Sequence, residues 1–137
     1  MSTTPAAYPN AREGRQHFRD LLDAAEMGVP ATVTRDRHTS AVLDAARLRD
    51  HLALVCPSRA QVVAENAGWS VLIPGQPLAA DGGTFEEAID EMVLALRDYA
   101  EAWIDRLRTA PNHEQNWGLV QLITLSSDDQ LASWLTA

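Results

Sequence analysis

The sequence contains no lysine, and all eleven of its basic residues are arginine. It has a single cysteine, Cys56, which excludes a disulfide within the chain. No stretch approaches the roughly 18 apolar residues of a membrane-spanning helix, and the N-terminus has no signal-peptide pattern. With 46% hydrophobic residues among 137, the chain can form a folded core. We therefore expect a cytoplasmic protein of one or two small domains.

The residue types of catalytic and metal centres are present, but not at the spacings that such centres need. Neither Cys56 nor paired carboxylates lie at a metal-ligand spacing from the four histidines, which are His17, His38, His51 and His113. The sequence has no glycine-rich phosphate loop and no serine or cysteine in a nucleophile motif. Glu86 and Glu87 are adjacent, and on a helix they point in different directions. We expect no enzyme activity, no metal and no cofactor.

Residues 10–43 carry the strongest local signals, beginning with an amphipathic helix. Asn10 is a good N-cap residue and Glu13 stands at the capping-box spacing from it, so the helix is expected to begin near residue 11. Gly28 and Pro30 are expected to end it. Four apolar residues recur on one helical face, namely Phe18, Leu21, Leu22 and Ala25.

A short hairpin is expected next, because two β-branched runs flank a polar tip. The runs are Ala31–Arg35 and Thr39–Leu43, and the tip is Arg35–His38. Arginines gather at the start of the helix and at this tip. A guanidinium fork suits phosphate or guanine better than a point charge does, although a GC-rich bacterial genome also explains the absence of lysine. The clustering favours contact with DNA.

This segment resembles the Phd/YefM family of antitoxins, whose signature runs approximately S-E-A-R-x-N-L-x-x-L-L-D, then a glycine, a strand ending T-R, a small turn and A-V-L. The register holds without a gap from Glu13 to Leu43, with Leu21-Leu22-Asp23, Gly28, Thr34-Arg35 and Ala41-Val42-Leu43 at the expected places. The resemblance implies a dimer that binds its own operator DNA and neutralises a toxin encoded beside it. It implies DNA contacts for Arg15 and Arg35, with Arg12 and Arg37 as helpers. The alternative is that the helix arginines balance nearby acids on a solvated face.

Three positions depart from the family pattern. Ala6–Pro9 is a poor match to the strand that precedes the motif, because proline removes a hydrogen-bond donor. Gly14 stands where the family has alanine, which costs helix stability by roughly 1 kcal/mol. Arg37 occupies a turn position where the family often has glycine, and we expect a wider or differently shaped tip.

The net charge of -8 is unevenly distributed along the chain. Residues 1–60 contain eight arginines and seven acids, whereas residues 61–137 contain three arginines and twelve acids. DNA affinity depends on local neutralisation of phosphates and on counterion release. The first half can therefore bind DNA despite the overall charge, with a strong dependence on salt.

A change of composition near residues 48–58 suggests a domain boundary, since a short helical run gives way to Cys56-Pro57-Ser58. We assign residues 1–56 to a dimerisation and DNA-binding domain and residues 57–137 to a toxin-binding domain. The second domain is expected to have the order ββαβα. Its elements are a hairpin of Gln61–Glu65 and Trp69–Ile73, a helix of about six turns after the capping box Thr84–Glu87, a strand at Trp117–Leu125, and a short helix capped by Ser127 with Gln130.

The second half is similar to the HicB antitoxin pattern, in which a hairpin ending in proline leads through a glycine turn into a T-x-E-E-A helix. The matching residues are Gly68-Trp69, Ile73-Pro74 and Gly83–Ala88. An acidic helix of this kind suits the basic cleft of an RNA-cutting toxin. We expect Glu87, Asp90, Glu91 and Trp134 to contact the toxin, with Trp134 as an interface anchor. The alternative for the acids is a solvated helix face.

The sequence thus predicts an α+β protein with an N-terminal Phd/YefM-like helix and hairpin and a C-terminal HicB-like domain. The expected function is that of a type II antitoxin, which neutralises a cognate protein toxin and represses its operon as a homodimer on operator DNA. The alternative is a toxin-independent transcriptional regulator or a protein–protein interaction module.

Overall fold

The computed structural model describes residues 4–137 and confirms the α+β class. The chain forms two compact units, of which the first extends to Leu48 and the second comprises Arg49–Ala137. The division falls inside helix α3, Ala45–Val55. By their contacts, the residues from 49 to 56 therefore belong with the second unit.

The first unit is a small sheet covered by two short helices. Its elements are β1 (Ala6–Tyr8), α1 (Ala11–Gln16), α2 (Phe18–Glu26), β2 (Ala31–Arg35) and β3 (His38–Ala41). The sheet order is β1-β2-β3, with β1 parallel and β3 antiparallel to β2. The buried centre consists of Leu21, Ala24 and Ala31. Strand β1 forms despite its poor sequence match, because Pro9 follows its last residue and removes no donor from the ladder.

The expected single helix is wrong, because the chain breaks at His17. Asn10 does cap α1, and its side chain accepts a hydrogen bond from the Glu13 N–H at 2.9 Å. At His17 the backbone leaves the helical region, with φ -114° and ψ 29°. The imidazole stacks on the Tyr8 ring at a centroid distance of 5.0 Å and an interplanar angle of 3°. This contact with β1 accompanies the break. The helical spacing of apolar residues does not predict it.

The hairpin tip is a two-residue turn, which is tighter than the expected wide one. Arg35 and His38 are directly paired, and Asp36 and Arg37 connect them. Asp36 has φ 55°, a left-handed conformation that aspartate tolerates better than most residues. The turn therefore needs no glycine at residue 37.

The second unit begins within α3 and continues through a meander of three strands into a set of helices. Its further elements are β4 (Gln61–Glu65), β5 (Gly68–Ile73), β6 (Leu78–Gly82), α4 (Phe85–Ala102), a π-helical turn (Trp103–Leu107), a 3-10 turn (Glu114–Asn116), α5 (Trp117–Leu125) and α6 (Asp128–Thr136). The strands are antiparallel in the order β4-β5-β6.

Helix α4 packs on this sheet and supplies more buried residues than any other element of the unit. Thr84 caps it by accepting a hydrogen bond from the Glu87 N–H at 3.1 Å, as the sequence predicts. The Glu87 carboxylate reaches back to the Gly83 N–H at 3.0 Å. The buried face consists of Ala88, Ile89, Met92, Val93, Leu96, Tyr99 and Ala100.

Two elements differ from the expected order ββαβα. Leu78–Gly82 forms a third strand, and Trp117–Leu125 forms helix α5 and not a strand. A short run of almost uniformly apolar residues has no period that separates a buried strand from a buried helix. As a helix, the segment buries Leu122 and Ile123 completely, at 0% exposure. The cap of α6 is confirmed, and Ser127 and Gln130 form a complete capping box.

Candidate functional site

The four arginines that the sequence assigns to DNA binding all lie in the first unit. Arg12 and Arg15 are on α1, Arg35 ends β2, and Arg37 is in the turn. All four side chains are exposed. Within residues 4–137, none of these guanidinium groups has a hydrogen bond or an ion pair with the protein. Their charges are therefore available to an external anion.

A close packing contact between α1 and β2 determines where two of these arginines lie. A Cβ atom built on Gly14 would lie 2.9 Å from both Cγ atoms of Val33, so the helix sits directly on the strand here. Arg15 follows Gly14, and Arg35 lies two residues beyond Val33 on the same face of the sheet. Arg15 is thus the neighbour of the helix residue at this contact, and Arg35 is on the strand face that carries Val33.

The other two arginines lie farther from this contact in different directions. Arg37 is at the tip of the hairpin. Arg12 is two residues before Gly14, which at 100° per residue puts it on nearly the opposite side of α1 from the sheet. Arg12 and Arg37 therefore lie on other parts of the first unit than the Gly14–Val33 contact.

A cluster around Tyr8 was not anticipated from the sequence. The Tyr8 hydroxyl donates to an Asp20 carboxylate oxygen at 3.4 Å, and the same oxygen lies 3.4 Å from Nδ1 of His17. Partial desolvation, the charge of Asp20 and this hydrogen bond raise the pKa of the Tyr8 phenol above its ordinary value. Tyr8 thus stays a neutral donor that ties β1 to α2. The residues are 9 and 12 positions apart, and no local motif marks them.

Only part of the apolar face of α2 is covered. Leu21 and Ala25 are buried, as their spacing predicts, at 2% and 6% exposure. Phe18 and Leu22 are 55% and 41% exposed. These two side chains are one turn apart on the helix, so they form an apolar strip that faces solvent within the described chain.

The outward face of α4 is acidic. Exposed carboxylates are supplied by Glu86, Glu87, Asp90, Glu91, Asp98 and Glu101. The one basic residue of the helix, Arg97, turns away to bind Asp128 at 2.8 Å and the carbonyls of Ile123 and Ser126. Leu94 lies among the acids and is 57% exposed. The face combines unneutralised negative charge with an apolar side chain.

Trp134, which the sequence suggests as an interface anchor, is a core residue. Its ring is 6% exposed, and its Nε1 donates to the Cys56 carbonyl at 2.8 Å. The capping box at Ser127 fixes the phase of α6 and turns Trp134 inward with Leu131 and Leu135. The exposed tryptophan is Trp117, at 56%. Because the sequence predicts a strand at Trp117–Leu125, it does not predict that the Trp117 ring is exposed.

Among residues 4–137, no three histidine, cysteine or acidic side chains are grouped closely enough to hold a metal ion. Within the same residues, no helix has both the length and the apolar character required to cross a membrane.

Comparison with known proteins gives a match at the level of structure. No protein-family model matches the chain, and no curated protein matches its sequence. The fold is similar to the crystal structure of a protein from Syntrophomonas wolfei subsp. wolfei, named as the antitoxin part of a proposed toxin–antitoxin system. The TM-score is 0.78, and the match covers 93% of this chain and 94% of the other. The two proteins share one fold. Their sequence identity is 22%.

Proposed function

We propose that this chain is the antitoxin of a type II toxin–antitoxin system. The observation that carries the proposal is the likeness, over nearly the whole chain, to a protein named as an antitoxin. The Phd/YefM-like register of residues 13–43 and the HicB-like pattern of the second half support the same role. In this proposal the first unit dimerises and binds operator DNA, and the second unit, which begins at Arg49 and not at residue 57, binds and neutralises the toxin.

The DNA-binding part of the proposal rests on the unpartnered arginines of the first unit. Arg15 follows Gly14 on α1, Arg35 ends β2, and these two side chains are exposed together with Arg12 and Arg37. The first unit has as many arginines as acids, six of each, and the excess negative charge belongs to the second unit. Arginine forks suit contacts to phosphate and guanine.

A homodimer would present this surface twice to a palindromic operator. The exposed strip of Phe18 and Leu22 is the surface that supports dimerisation in the first unit. A phenylalanine and a leucine at this exposure are stabilised when a second copy covers them. Replacing both with serine should convert a dimer into a monomer, which size-exclusion chromatography with light scattering measures.

The toxin-binding part of the proposal rests on the acidic face of α4. Glu87, Asp90 and Glu91 are exposed at the start of this face, and Leu94 follows one turn later. A ribonuclease toxin needs a positively charged cleft for its RNA substrate. An acidic helix with an apolar centre complements such a cleft, because charges steer the encounter and the apolar contact slows dissociation.

Two binding experiments test the proposal. The purified chain is titrated against its upstream DNA fragment at rising salt, and we expect tight binding at low salt that weakens steeply. The protein encoded next to the chain is then captured on it, and toxicity in cells is scored with and without the antitoxin. Operator binding without a toxin partner would favour a plain transcriptional regulator. Failure of both would favour an interaction module and reject the antitoxin role.

A further inference from the structure

The second unit contains a cavity that the proposed DNA and toxin surfaces do not use. Its volume is about 500 Å³, which lies within the range of ligand pockets. It is formed at the end of α3, the turn after β5 and the start of α5. The residues that matter for its chemistry are Val55, Arg59, Gln76, Asn116, Trp117 and Leu119. We call this space the Arg59 cavity.

Arg59 supplies an uncompensated positive charge to the cavity. The second unit has thirteen acidic residues and five arginines. Four of these arginines bind carboxylates, carbonyls or a hydroxyl within the unit, whereas Arg59 has no hydrogen bond or ion pair with residues 4–137. Although its unit contains thirteen acids, the Arg59 guanidinium is paired with none of them. It is therefore available to an external anion.

The backbone at Arg59 is held in an unfavourable conformation. Its φ is 50°, in the left-handed region that residues with a Cβ atom disfavour. The buried Ser58 stabilises this turn by accepting a hydrogen bond from the Ala60 N–H at 3.2 Å through its side-chain oxygen. Such strain persists where surrounding contacts enforce it, and it is frequent at ligand-binding positions.

One side of the cavity is apolar and open to solvent. Trp117 and Val55 line it and are 56% and 58% exposed. A tryptophan with this exposure is an efficient anchor for an apolar partner group, because its large rigid ring loses little entropy on binding. The cavity thus places an aromatic wall beside a free cation.

A pair of amides provides the polar side of the cavity. Gln76 Nε2 donates to Asn116 Oδ1 at 3.2 Å, and Asn116 Nδ2 donates to Gln76 Oε1 at 2.9 Å and to the Tyr99 hydroxyl at 2.8 Å. Both N–H groups of Asn116 are therefore used. Gln76 keeps one N–H donor without a partner among residues 4–137. This donor suits a peptide carbonyl.

We propose that the Arg59 cavity binds the C-terminal residue of a peptide chain whose last side chain is apolar. The Arg59 guanidinium pairs with the terminal carboxylate, Trp117 packs on the side chain, and the free Gln76 N–H binds the last peptide carbonyl. The combination of one cation, one aromatic wall and one amide donor favours a chain end over nucleic acid, because a polyanion is repelled by a unit with thirteen acids and five arginines. This site is independent of the antitoxin proposal.

The test is an NMR titration of the full-length ¹⁵N-labelled protein with matched probes. The probes are N-acetyl-L-phenylalanine and its neutral amide, and the signal is the Trp117 indole N–H, assigned with W117F. We expect a saturable shift with the acid and about tenfold weaker binding of the amide, since a charge-assisted bond is lost. R59Q should weaken binding of the acid by a similar factor, and R59K should lie between. The control R106Q removes an exposed arginine outside the cavity and should change nothing.

Several outcomes would overturn the proposal. The first is that the acid gives no saturable shift, and the second is that acid and amide bind equally. The third is that R59Q binds the acid as tightly as the wild type does, with a circular dichroism spectrum that shows it to be folded. Phenylacetate, which has the carboxylate and the ring but no peptide unit, distinguishes a free small acid from a chain end. If it binds as tightly as N-acetyl-L-phenylalanine, the site takes small carboxylates and the chain-end assignment is wrong.

Discussion

Gly14 lies against Val33 so closely that a Cβ atom on residue 14 would approach both Cγ atoms of Val33 to 2.9 Å. Valine is stiff at χ1 and cannot swing both methyl groups away. Alanine improves helix propensity by roughly 1 kcal/mol, but overpacking of this kind costs about 1–3 kcal/mol. We therefore expect Gly14→Ala to lower the free energy of unfolding of the first unit by about 1 kcal/mol.

Hydrogen exchange of the α1 and α2 amides in the full-length protein measures this change. The matched control is the double variant Gly14→Ala, Val33→Ala, in which the clash is removed. A double-mutant cycle should give a favourable coupling between the two alanines, because Val33→Ala removes the methyl groups that the new Cβ of residue 14 meets, and that Cβ fills part of the space left. Additive effects would mean that the helix and the strand do not meet as described.

Operator binding should depend on Arg15 and Arg35 more than on other arginines of the first unit. Each phosphate contact contributes about 0.9 to the slope of log affinity against log salt. In a dimer, Arg15→Ala or Arg35→Ala should therefore reduce the slope by about 1.8 if each removes one contact per copy. Fluorescence anisotropy at several salt concentrations measures the slope. Arg19→Ala, an exposed arginine on α2, is the control. A slope that falls equally in all three variants would contradict the assignment.

The signals that predicted structure correctly are local ones. Side-chain caps at Asn10, Thr84 and Ser127 were readable because a cap depends on residues three positions apart. The hairpin of β4 and β5 was readable because a short polar turn separates two alternating runs. The DNA-binding and toxin-binding assignments stay predictions.

The signals that failed depend on contacts between distant residues. The break at His17 accompanies stacking on Tyr8, nine positions earlier. The helix at Trp117–Leu125 buries Leu122 and Ile123 and leaves Trp117 exposed, a division that its nearly uniform apolar sequence does not mark. Strand β6 is short and contains Ala79 and Ala80, which have weak strand preference, so it exists because it pairs with β5. The spacing of apolar residues along the sequence cannot predict any of these contacts, since each depends on tertiary packing.

The acidic face of α4 should accelerate toxin binding. Glu91 and Asp98 are exposed and have no partner within residues 4–137, so their charge acts on an approaching cation. Replacing both with glutamine and asparagine should lower the association rate several-fold at low salt, with convergence to wild type at high salt. Stopped-flow or surface-plasmon kinetics with the captured toxin measures it. Glu65→Gln, on strand β4, is the control, and equal rates for all variants would exclude this face.

Truncation of Trp134 should destabilise the protein much more than truncation of Trp117. Trp134→Ala removes a buried ring and should lower the free energy of unfolding by about 3–5 kcal/mol. Trp134→Phe keeps much of the packing but leaves the Cys56 carbonyl without its indole donor, at a cost of about 1–3 kcal/mol. Trp117→Ala should change stability by less than about 1 kcal/mol, because the ring is largely exposed. Urea denaturation followed by circular dichroism compares them. A larger loss for Trp117→Ala would reverse the assignment of core and surface.

The strain at Arg59 predicts a variant that is more stable than the natural chain. A residue with a Cβ atom at φ 50° is destabilised by roughly 1–2 kcal/mol, whereas glycine is not. Glycine also increases the entropy of the unfolded chain, which offsets roughly 0.5–1 kcal/mol. Arg59→Gly should therefore raise the free energy of unfolding by about 0.5–1 kcal/mol. Thermal and urea denaturation measure the gain, and Arg59→Ala, which keeps the Cβ atom, should show none. Because Arg59→Gly also removes the guanidinium, it should at the same time lose affinity for N-acetyl-L-phenylalanine. A variant that gained stability and kept full affinity would overturn the assignment of Arg59 to the carboxylate.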